Sequence, residues 1–363
     1  MNYITDQIQT SNTWQEIHAQ PNIWRAWSKN FTVEKYRAWI EQLGVNEVWF
    51  CGAGTSAYIG DIIATGLPNT GEISFRSVPS TDLVARANYY LKNPPKDLLI
   101  VNFGRSGNSS ETLGTLSALE ALAPSIPTLN ITCNSASALA KNTRGRAILL
   151  PDGCHDSGFA MTSSFSTMLL TALSIFDVGS DACKNVNKLA EHAEAALTTL
   201  ADHFLGSQVP SRVVFVGSGP KAFAARESAL KVMELSAGNV PALWESTLGF
   251  RHGPKSFVVK GTAIYVLRSK EYPANEYEAD LVEELRVQFP EAEIITIGAE
   301  QDLSINSVGS AVWDSVLSVI PAQLASVIWS GKLGLNVDDP FVGQSTLTRV
   351  VSSVQLHPIE PAE

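Results

Sequence analysis

Short apolar runs alternate with amphipathic stretches from about residue 47 onward, and this alternation predicts strands followed by helices. Apolar runs separated by helices are typical of a parallel sheet covered on both faces. Four of the five strands predicted in the first half of the chain are followed by a helical pattern. These strands are 47–51, 73–78, 98–102, 128–132 and 147–150.

The pattern begins again after residues 208–211, a short breaker that marks a candidate domain boundary. Segment 212–219 repeats the form of segment 47–54, since each contains a strand and a glycine-rich turn that opens a helix. This weak internal duplication predicts two similar domains in tandem. Further strands are predicted at 242–244, 263–267 and 294–297, and helices at 160–178, 182–206 and 313–329.

Aromatic and apolar residues lie among polar ones in residues 1–40, which predicts helices that pack onto another surface. Pro21 is expected to separate two helices, because the residue before a proline avoids helical geometry. The tryptophans at 14, 24 and 27 indicate either a lid over the core or a subunit contact. The chain is therefore predicted to be α/β, with a helical extension at 1–40, a first domain at 41–207 and a second at 208–363.

Composition argues against several classes of partner. The formal net charge of -10 argues against a nucleic-acid-binding surface, which needs a basic stripe. The four cysteines have neither a Cys-x-x-Cys pair nor metal-ligand spacing, which fits a reduced, cytoplasmic protein. A signal peptide is absent from the sequence, and no uninterrupted apolar run reaches membrane-spanning length. We therefore expect a cytoplasmic protein with no metal, no cofactor and no membrane partner.

Segment 103–112 joins a predicted strand to a predicted helix and is rich in glycine and hydroxyl residues. The first amides of a helix lack internal partners and carry the positive end of its dipole, so they bind anions. An ordinary helix capped by Ser109 or Ser110 is the alternative, but the combination of donors favours a phosphate turn. The candidate phosphate-binding residues are Gly104, Arg105, Ser106, Ser109, Ser110 and Thr112, together with Gly54, Thr55 and Ser56 at the end of the first strand.

Three charged residues of the second half, Glu227, Lys231 and Glu234, are spaced to share one face of a helix. They form either a solvated stripe with an i,i+4 pair or the wall of a cleft, in which burial raises the pKa of one glutamate so that it serves as a base. His252 precedes a Gly-Pro pair, and such a turn either presents the ring to a ligand or holds it by hydrogen bonds inside the loop.

These motifs, taken in order, resemble the tandem sugar isomerase (SIS) domains in the isomerase half of glucosamine-6-phosphate synthase. The likeness is strongest to the AgaS subfamily, the galactosamine-6-phosphate deaminase/isomerases, formerly described as tagatose-6-phosphate ketose/aldose isomerases. It covers nearly the whole chain from about residue 40. The resemblance implies two tandem SIS domains, each a parallel sheet between two helical layers, and a sugar phosphate as the ligand.

The resemblance also implies roles for individual residues. Glu234 matches the glutamate that moves a proton between C1 and C2 of the sugar. His252 matches a histidine that assists ring opening across a subunit boundary, which favours a homodimer. Other matches are Thr55, Ser56, Arg105, Ser106 and Ser109 to phosphate-binding residues, Glu227 and Lys231 to charged residues of the pocket, and Thr162 and Ser163 to a hydroxyl-rich helix start near the substrate.

Two departures from the synthase decide which reaction is expected. We expect no glutaminase domain in a chain that starts Met1-Asn2, and Arg349 stands where the synthase has its Schiff-base lysine. An arginine stays protonated and cannot act as that nucleophile. The resemblance then implies deaminating isomerisation of a 2-amino-2-deoxy-hexose 6-phosphate, in which D-galactosamine 6-phosphate and water give D-tagatose 6-phosphate and ammonium. An aldose/ketose 6-phosphate isomerase, a sugar-phosphate deglycase and a non-catalytic sugar-phosphate sensor are the alternatives.

Overall fold

The computed structural model describes residues 2–67, 73–344 and 347–359, with side chains from residue 5 onward. The helices within these residues are α1 (Asn2–Thr10), α2 (Asn12–Asn30), α3 (Glu34–Leu43), α4 (Thr55–Gly66), α5 (Ser80–Ala85), α6 (Ala87–Leu91), α7 (Ser110–Leu122), α8 (Ala138–Lys141), α9 (Ser163–Phe176), α10 (Ala182–Gly206), α11 (Pro220–Leu235), α12 (Ala274–Gln288) and α13 (Ala311–Lys332). The strands are β1 (Glu47–Cys51), β2 (Ser74–Ser77), β3 (Leu98–Gly104), β4 (Thr128–Thr132), β5 (Gly145–Leu149), β6 (Arg212–Gly217), β7 (Ala242–Ser246), β8 (Thr262–Leu267), β9 (Glu293–Gly298) and β10 (Leu303–Ser304).

Both sheets are parallel and five-stranded, in the orders β2-β1-β3-β4-β5 and β10-β9-β8-β6-β7. Every residue of β3, β4 and β8 is buried, as expected for strands covered by helices on both faces. The predicted α/β class is therefore confirmed. The sequence pattern had not indicated β10, whose two residues are too short for a recognisable apolar run.

The chain divides into two compact units, each containing one sheet. Unit 1 comprises residues 1–29, 156–162 and 181–346, and unit 2 comprises residues 30–155, 163–180 and 347–363. These units are interleaved along the chain, so their bounds do not coincide with the predicted domains 1–40, 41–207 and 208–363. The sequential domain boundaries stay a prediction.

The core of unit 1 is built around α13, which contacts α1, α10 and α11. This helix is long and apolar enough to cross a membrane by length and composition alone, but its most apolar window is completely buried within the described residues. Apolar side chains of β6, β8 and α12 form a further cluster in this unit. In unit 2, side chains of β1 and β3 pack against α5, α6 and α7.

The expected break at Pro21 was wrong, because α2 runs without interruption through this residue. A proline inside a helix leaves the carbonyl four residues earlier without its amide donor. Here the side chain of Gln20 donates a hydrogen bond to that carbonyl, the oxygen of Ile17, at 3.1 Å. The same Nε2 also lies 2.9 Å from Gln323 Oε1, so the helix is fastened to α13 at this point.

Candidate active site

The two glycine-rich turns of unit 2 begin at the same edge of the first sheet. β1 and β3 are neighbours in that sheet, with Cys51 opposite Asn102, and the chain leaves them for opposite sides of the sheet. Such a switch in strand order opens a crevice at the carboxyl ends of the strands, where α/β sheets bind ligands. Both turns of the predicted phosphate site therefore lie at this crevice.

The turn after β3 has a geometry that only glycine permits at position 107. Gly107 adopts a φ of +61°, and a Cβ atom there would lie 2.5 Å from Ser137 Oγ. Ser109 is the N-cap of α7, and its hydroxyl accepts a hydrogen bond from the Thr112 amide at 3.3 Å. Its oxygen also lies 3.0 Å from Thr112 Oγ1. Ser109 is thus both a helix cap and a hydroxyl at the crevice.

Two donors of this turn bind the C-terminal segment 347–359, which has no helix or strand. The Ser110 amide donates to the carbonyl of Val351 at 3.0 Å. The Arg105 guanidinium, which is buried, donates to the carbonyl of Arg349 at 3.0 Å. Arg349 therefore contacts the turn through its backbone oxygen, while its residue as a whole is exposed.

The turn after β1 is also closely packed. Gly54 is the N-cap of α4, with φ 55° and ψ −130°, a conformation that L side chains rarely adopt. Thr55 and Ser56 follow it at the start of the helix and are both buried. Their positions at the first turn of α4 place their amides toward the carboxyl edge of the sheet.

The predicted hydroxyl-rich helix start at 162–163 is buried. Thr162 Oγ1 donates to Asp156 Oδ1 at 2.9 Å, and its amide donates to Asp156 Oδ2 at 2.9 Å. The hydroxyl proton of Thr162 is therefore engaged by a carboxylate of the protein itself. Ser163 is the first residue of α9 and is also buried.

The charged face of α11 points inward, so the alternative of a solvated stripe was wrong. Glu227 and Lys231 have no exposed side-chain surface, and Glu234 retains 25%. Lys231 Nζ lies 2.6 Å from Glu234 Oε2 and 3.3 Å from Glu227 Oε1. Burial by itself would lower the pKa of Lys231, but the two carboxylates outweigh it and the pKa is raised. The result is a buried ammonium held between a closed carboxylate and a partly open one.

Three apolar residues, Phe223, Leu230 and Met233, lie toward the outer side of α11. Phe223 and Leu230 are only half-buried, and Met233 is exposed. The opposite side of the helix packs against α13 and β6, and its small residues allow close approach. This packing brings Glu227 and Lys231 inside.

His252 lies in an exposed loop after a 3₁₀ turn at Gly249–Arg251. Its backbone amide donates to the carbonyl of Gly249 at 3.0 Å, but within the described part of the chain its ring makes no hydrogen bond. The alternative of a histidine held by hydrogen bonds inside the loop is therefore not what the structure contains. The ring is instead presented outward.

Glu284 of α12 fastens both sides of this loop. Its carboxylate accepts hydrogen bonds from Arg251 Nε at 2.7 Å and from Lys255 Nζ. The hydrogen bond from Lys255 is the main cause of its lowered pKa. Sequence reasoning missed Glu284, since nothing in its local sequence indicates a partner 33 residues away.

The last lysine of the chain, Lys332, has a structural role. Its ammonium donates to the carbonyls of Phe204 and Leu205, at 2.9 and 3.0 Å, and to that of Ser207. It thereby satisfies the carbonyls at the end of α10. Burial lowers the pKa of Lys332. The ammonium of Lys332 is thus engaged at a helix end.

Within the residues that the structure describes, no group of three or more His, Cys, Asp or Glu side chains is arranged to hold a metal ion. Cys51, Cys133 and Cys154 are buried thiols, and Cys183 is exposed. Burial raises the pKa of the Cys51 thiol to about 12, so it is not a reactive thiolate at neutral pH.

Two sheets of the same order, with a phosphate-type turn on one and a buried Glu-Lys-Glu helix on the other, define an α/β protein of the sugar-phosphate isomerase class. A model of the SIS domain matches residues 44–176. D-galactosamine-6-phosphate deaminase AgaS of Escherichia coli is 37% identical over 98% of this chain and 98% of that protein. The protein of the same name from Shewanella sp. (strain ANA-3) is 36% identical over 95% of this chain and 92% of that protein.

A solved structure gives the same result. The crystal structure of tagatose-6-phosphate ketose/aldose isomerase from Escherichia coli superimposes with a TM-score of 0.85 at 33% identity, covering 98% of this chain and 99% of that chain. The chain belongs to the SIS-domain sugar isomerase family, in its AgaS branch. The predicted tandem SIS fold and the predicted family are thereby confirmed.

Proposed function

We propose that the protein catalyses deaminating isomerisation of a 2-amino-2-deoxy-hexose 6-phosphate. D-galactosamine 6-phosphate and water give D-tagatose 6-phosphate and ammonium. The observation that carries this proposal is the partly open carboxylate of Glu234, oriented by the buried Lys231 at 2.6 Å. The names of the relatives, D-galactosamine-6-phosphate deaminase among them, support the substrate.

The phosphate turn positions the sugar phosphate for reaction. The sugar phosphate is held by the hydroxyls at the starts of α4 and α7, with Ser106 and Ser109 as donors, and by those first-turn amides that are not engaged within the protein. Binding the remote phosphate fixes the reacting carbons, and the binding energy is used to lower the barrier of the chemical step. Because Ser110 and Arg105 donate to carbonyls of the C-terminal segment, that segment helps to shape the phosphate site.

The proton transfers follow from the proposed roles of two side chains. His252 moves a proton between the ring oxygen and O1, which opens the ring to the aldehyde. Glu234 takes the proton from C2 to form an enolamine and returns it to C1, which leaves an imine at C2. Water adds to this imine and ammonia leaves, taking a proton to give ammonium. Glu227 and Lys231 keep the Glu234 carboxylate in place throughout.

The last step needs no lysine of the enzyme, because the imine nitrogen belongs to the substrate. No lysine follows Lys332 in the sequence, and Lys332 itself caps α10. Deamination therefore fits the residues better than transfer through a Schiff base. We further propose that the enzyme is a cytoplasmic homodimer in which the outward-facing His252 serves the neighbouring subunit.

Ammonium release tests the proposal. Purified protein is incubated with D-galactosamine 6-phosphate and, in parallel, with D-glucosamine 6-phosphate, and ammonium and ketose phosphate are measured together. Equal amounts of both products are expected from the galacto substrate. Glu234→Gln is expected to lose roughly 10²- to 10⁴-fold in kcat, the usual contribution of a general base. Glu283→Gln, an exposed glutamate of α12, is the matched control and should keep full activity.

A plain aldose/ketose isomerase is the second candidate, favoured by the name of the superimposed crystal structure. This enzyme would interconvert tagatose 6-phosphate and its aldose without releasing ammonium. Interconversion without ammonium from either amino sugar would replace the deaminase proposal with this one. Binding without any conversion would leave a sugar-phosphate sensor.

A further inference from the structure

The second sheet repeats the geometry of the first at its own switch point. The order β7-β6-β8-β9-β10 corresponds position by position to β2-β1-β3-β4-β5. Gly219, the N-cap of α11, has φ 55° and ψ −129°, and Gly54 at the start of α4 has φ 55° and ψ −130°. The residue two positions after the glycine differs, since Lys221 stands where the first sheet has Ser56. A ligand crevice is therefore expected between β6 and β8 as well.

A cavity of about 270 Å³ lies at this edge of the second sheet. Its wall includes Lys221 after β6, residues 268–270 after β8, Asn275 of α12 and residues 297–301 at the end of β9, with Asp314 and Ser318 of α13. The volume is close to the lower limit of small-molecule sites, roughly 300 Å³. Neither Glu234 nor His252 lines this cavity, so it is separate from the proposed catalytic residues.

Lys221 is the central polar group of the cavity. Its residue is 4% exposed, and its ammonium donates one hydrogen bond, to the carbonyl of Arg268 at 2.6 Å. An ammonium has three N–H donors, so two remain for a molecule in the cavity. Burial lowers the pKa of Lys221, although the carboxylates of Asp314, Glu278 and Glu271 oppose this effect.

One acceptor atom of the wall lacks a partner within the described residues. Asn275 Oδ1 is buried and accepts no hydrogen bond within the described residues, while the other end of its amide donates to Glu276 at 2.8 Å. A buried acceptor without a donor costs roughly 1–3 kcal/mol. A hydroxyl group of a bound molecule would satisfy it.

Charged side chains of both signs surround the cavity. Three cationic residues, Lys221, Arg268 and Lys270, line it together with the carboxylates of Glu300 and Asp314. The buried carboxylate of Glu278 lies 3.6 Å from Arg268 Nε, which makes no hydrogen bond within the described residues. Asp314 is already occupied, because it accepts hydrogen bonds from the Val308 amide at 2.9 Å and from the Ser307 hydroxyl. The donors that remain unused therefore belong mainly to the cationic side chains.

We propose that this cavity is a second binding site, for a small hydroxylated organic anion whose phosphate or carboxylate contacts Lys221 and Arg268 and whose hydroxyl contacts Asn275. The site is distinct from the phosphate turn of unit 2. Its occupation does not depend on the proposed deamination, so binding is the appropriate test.

Isothermal titration calorimetry with inert probes tests the proposal. The probes are galactitol 6-phosphate for a phosphate, galactonate for a carboxylate and galactitol as the uncharged compound. The protein is titrated as wild type, as Ser109→Asp, which keeps a helix N-cap but repels an anion at the phosphate turn, and as Lys221→Met. We expect one of the two anions to bind Ser109→Asp with one equivalent per chain, and to bind Lys221→Met at least tenfold more weakly at that site.

The controls make every outcome decisive. Lys260→Ala, an exposed lysine just before β8 at the opposite edge of the sheet, should leave binding unchanged. If Lys221→Met does not fold, Lys270→Ala replaces it, and a roughly two- to fivefold loss of affinity is expected for an exposed charge. Loss of all anion binding in Ser109→Asp, binding of galactitol equal to that of the anions, or unchanged affinity in Lys270→Ala would overturn the proposal. If the anion binds Ser109→Asp but no longer binds Lys221→Met, this result supports the site, even if the phosphate turn binds no anion.

Discussion

Lys231 donates a hydrogen bond of 2.6 Å to Glu234 while its other neighbour, Glu227, lies 3.3 Å away and has no exposed side-chain surface. The three residues thus divide two tasks. Glu227 neutralises the buried ammonium, and the ammonium orients the carboxylate that remains partly open. A variant at Glu227 should therefore affect mainly stability, and a variant at Glu234 should affect mainly catalysis.

Lys231→Met is expected to lower the free energy of unfolding by about 3–5 kcal/mol, because it leaves the Glu227 carboxylate buried without an opposite charge. The double variant Glu227→Gln/Lys231→Met should recover most of this loss. Urea denaturation measures both effects. The control is Lys260→Met, which breaks the exposed pair with Glu291 and should cost less than about 1 kcal/mol. A single variant as stable as the control would show that the ammonium is not needed to balance Glu227.

Two substitutions of Ser109 separate its role as a helix cap from its proposed role in phosphate binding. Ser109→Ala is expected to cost about 1 kcal/mol of stability, since it removes the N-cap of α7. Ser109→Asp should keep that stability, because aspartate caps a helix equally well, but its charge repels a phosphate. We expect a KM for the sugar phosphate at least tenfold higher in Ser109→Asp than in Ser109→Ala. Steady-state kinetics with equal KM values in the two variants would place the phosphate elsewhere.

Glu16 of α2 makes the free energy of unfolding depend on pH. Its carboxylate accepts hydrogen bonds from the amides of Ser157 and Gly158. Burial, with the nearby charge of Asp156, raises its pKa from 4.5 to about 7. The folded state thus holds a proton that the unfolded state releases between these two values, so this contribution to stability falls as pH rises from about 4.5 to 7.

Glu16→Gln should remove this dependence. We expect the decrease in unfolding free energy between pH 5 and 8 to be smaller in the variant by about 1–2 kcal/mol, a value discounted because Glu16 is partly exposed. Denaturation curves at the two pH values measure it. Glu41→Gln, at an exposed position of α3, is the control. An identical decrease in wild type and Glu16→Gln would contradict the assignment to Glu16.

Substitution of Lys332 tests whether this lysine has a structural or a catalytic role. Lys332→Met removes the donor to three carbonyls at the end of α10 and should cost about 2–3 kcal/mol of stability. Ammonium release per folded molecule should stay within about twofold of wild type below the lowered Tm, because no Schiff base to the enzyme is required. Trapping with borohydride should label neither protein. A folded Lys332→Met variant without activity would restore the lysine mechanism.

The strands were predicted well because buried parallel strands have short apolar runs with clear ends. The predicted bounds of β1 and β4 agree with the structure, and those of β3 and β9 differ by one or two residues. The break at Pro21 was mispredicted because the local rule ignores side chains, and the amide of Gln20 replaces the missing donor. The interleaved units also lay beyond sequence reasoning, since they depend on long-range packing.

Only part of the candidate site could be predicted from the sequence. Spacing placed Glu227, Lys231 and Glu234 on one face of α11, but spacing cannot show which face is buried. The apolar side chain of Met233, on a different face of the helix, is in fact exposed. Glu284 and the contacts of the C-terminal segment with the phosphate turn arise only from the tertiary fold.

The pairing of Gln20 with Gln323 has a consequence for synthesis on the ribosome. The first helices of the chain belong to a unit whose central helix, α13, is translated some three hundred residues later. Until then α1, whose Ile8 is buried in the finished fold, lacks the surface of α13 on which it packs. Nascent chains must therefore carry an exposed apolar segment through most of elongation, which makes the N-terminal helices a natural place for a chaperone to bind.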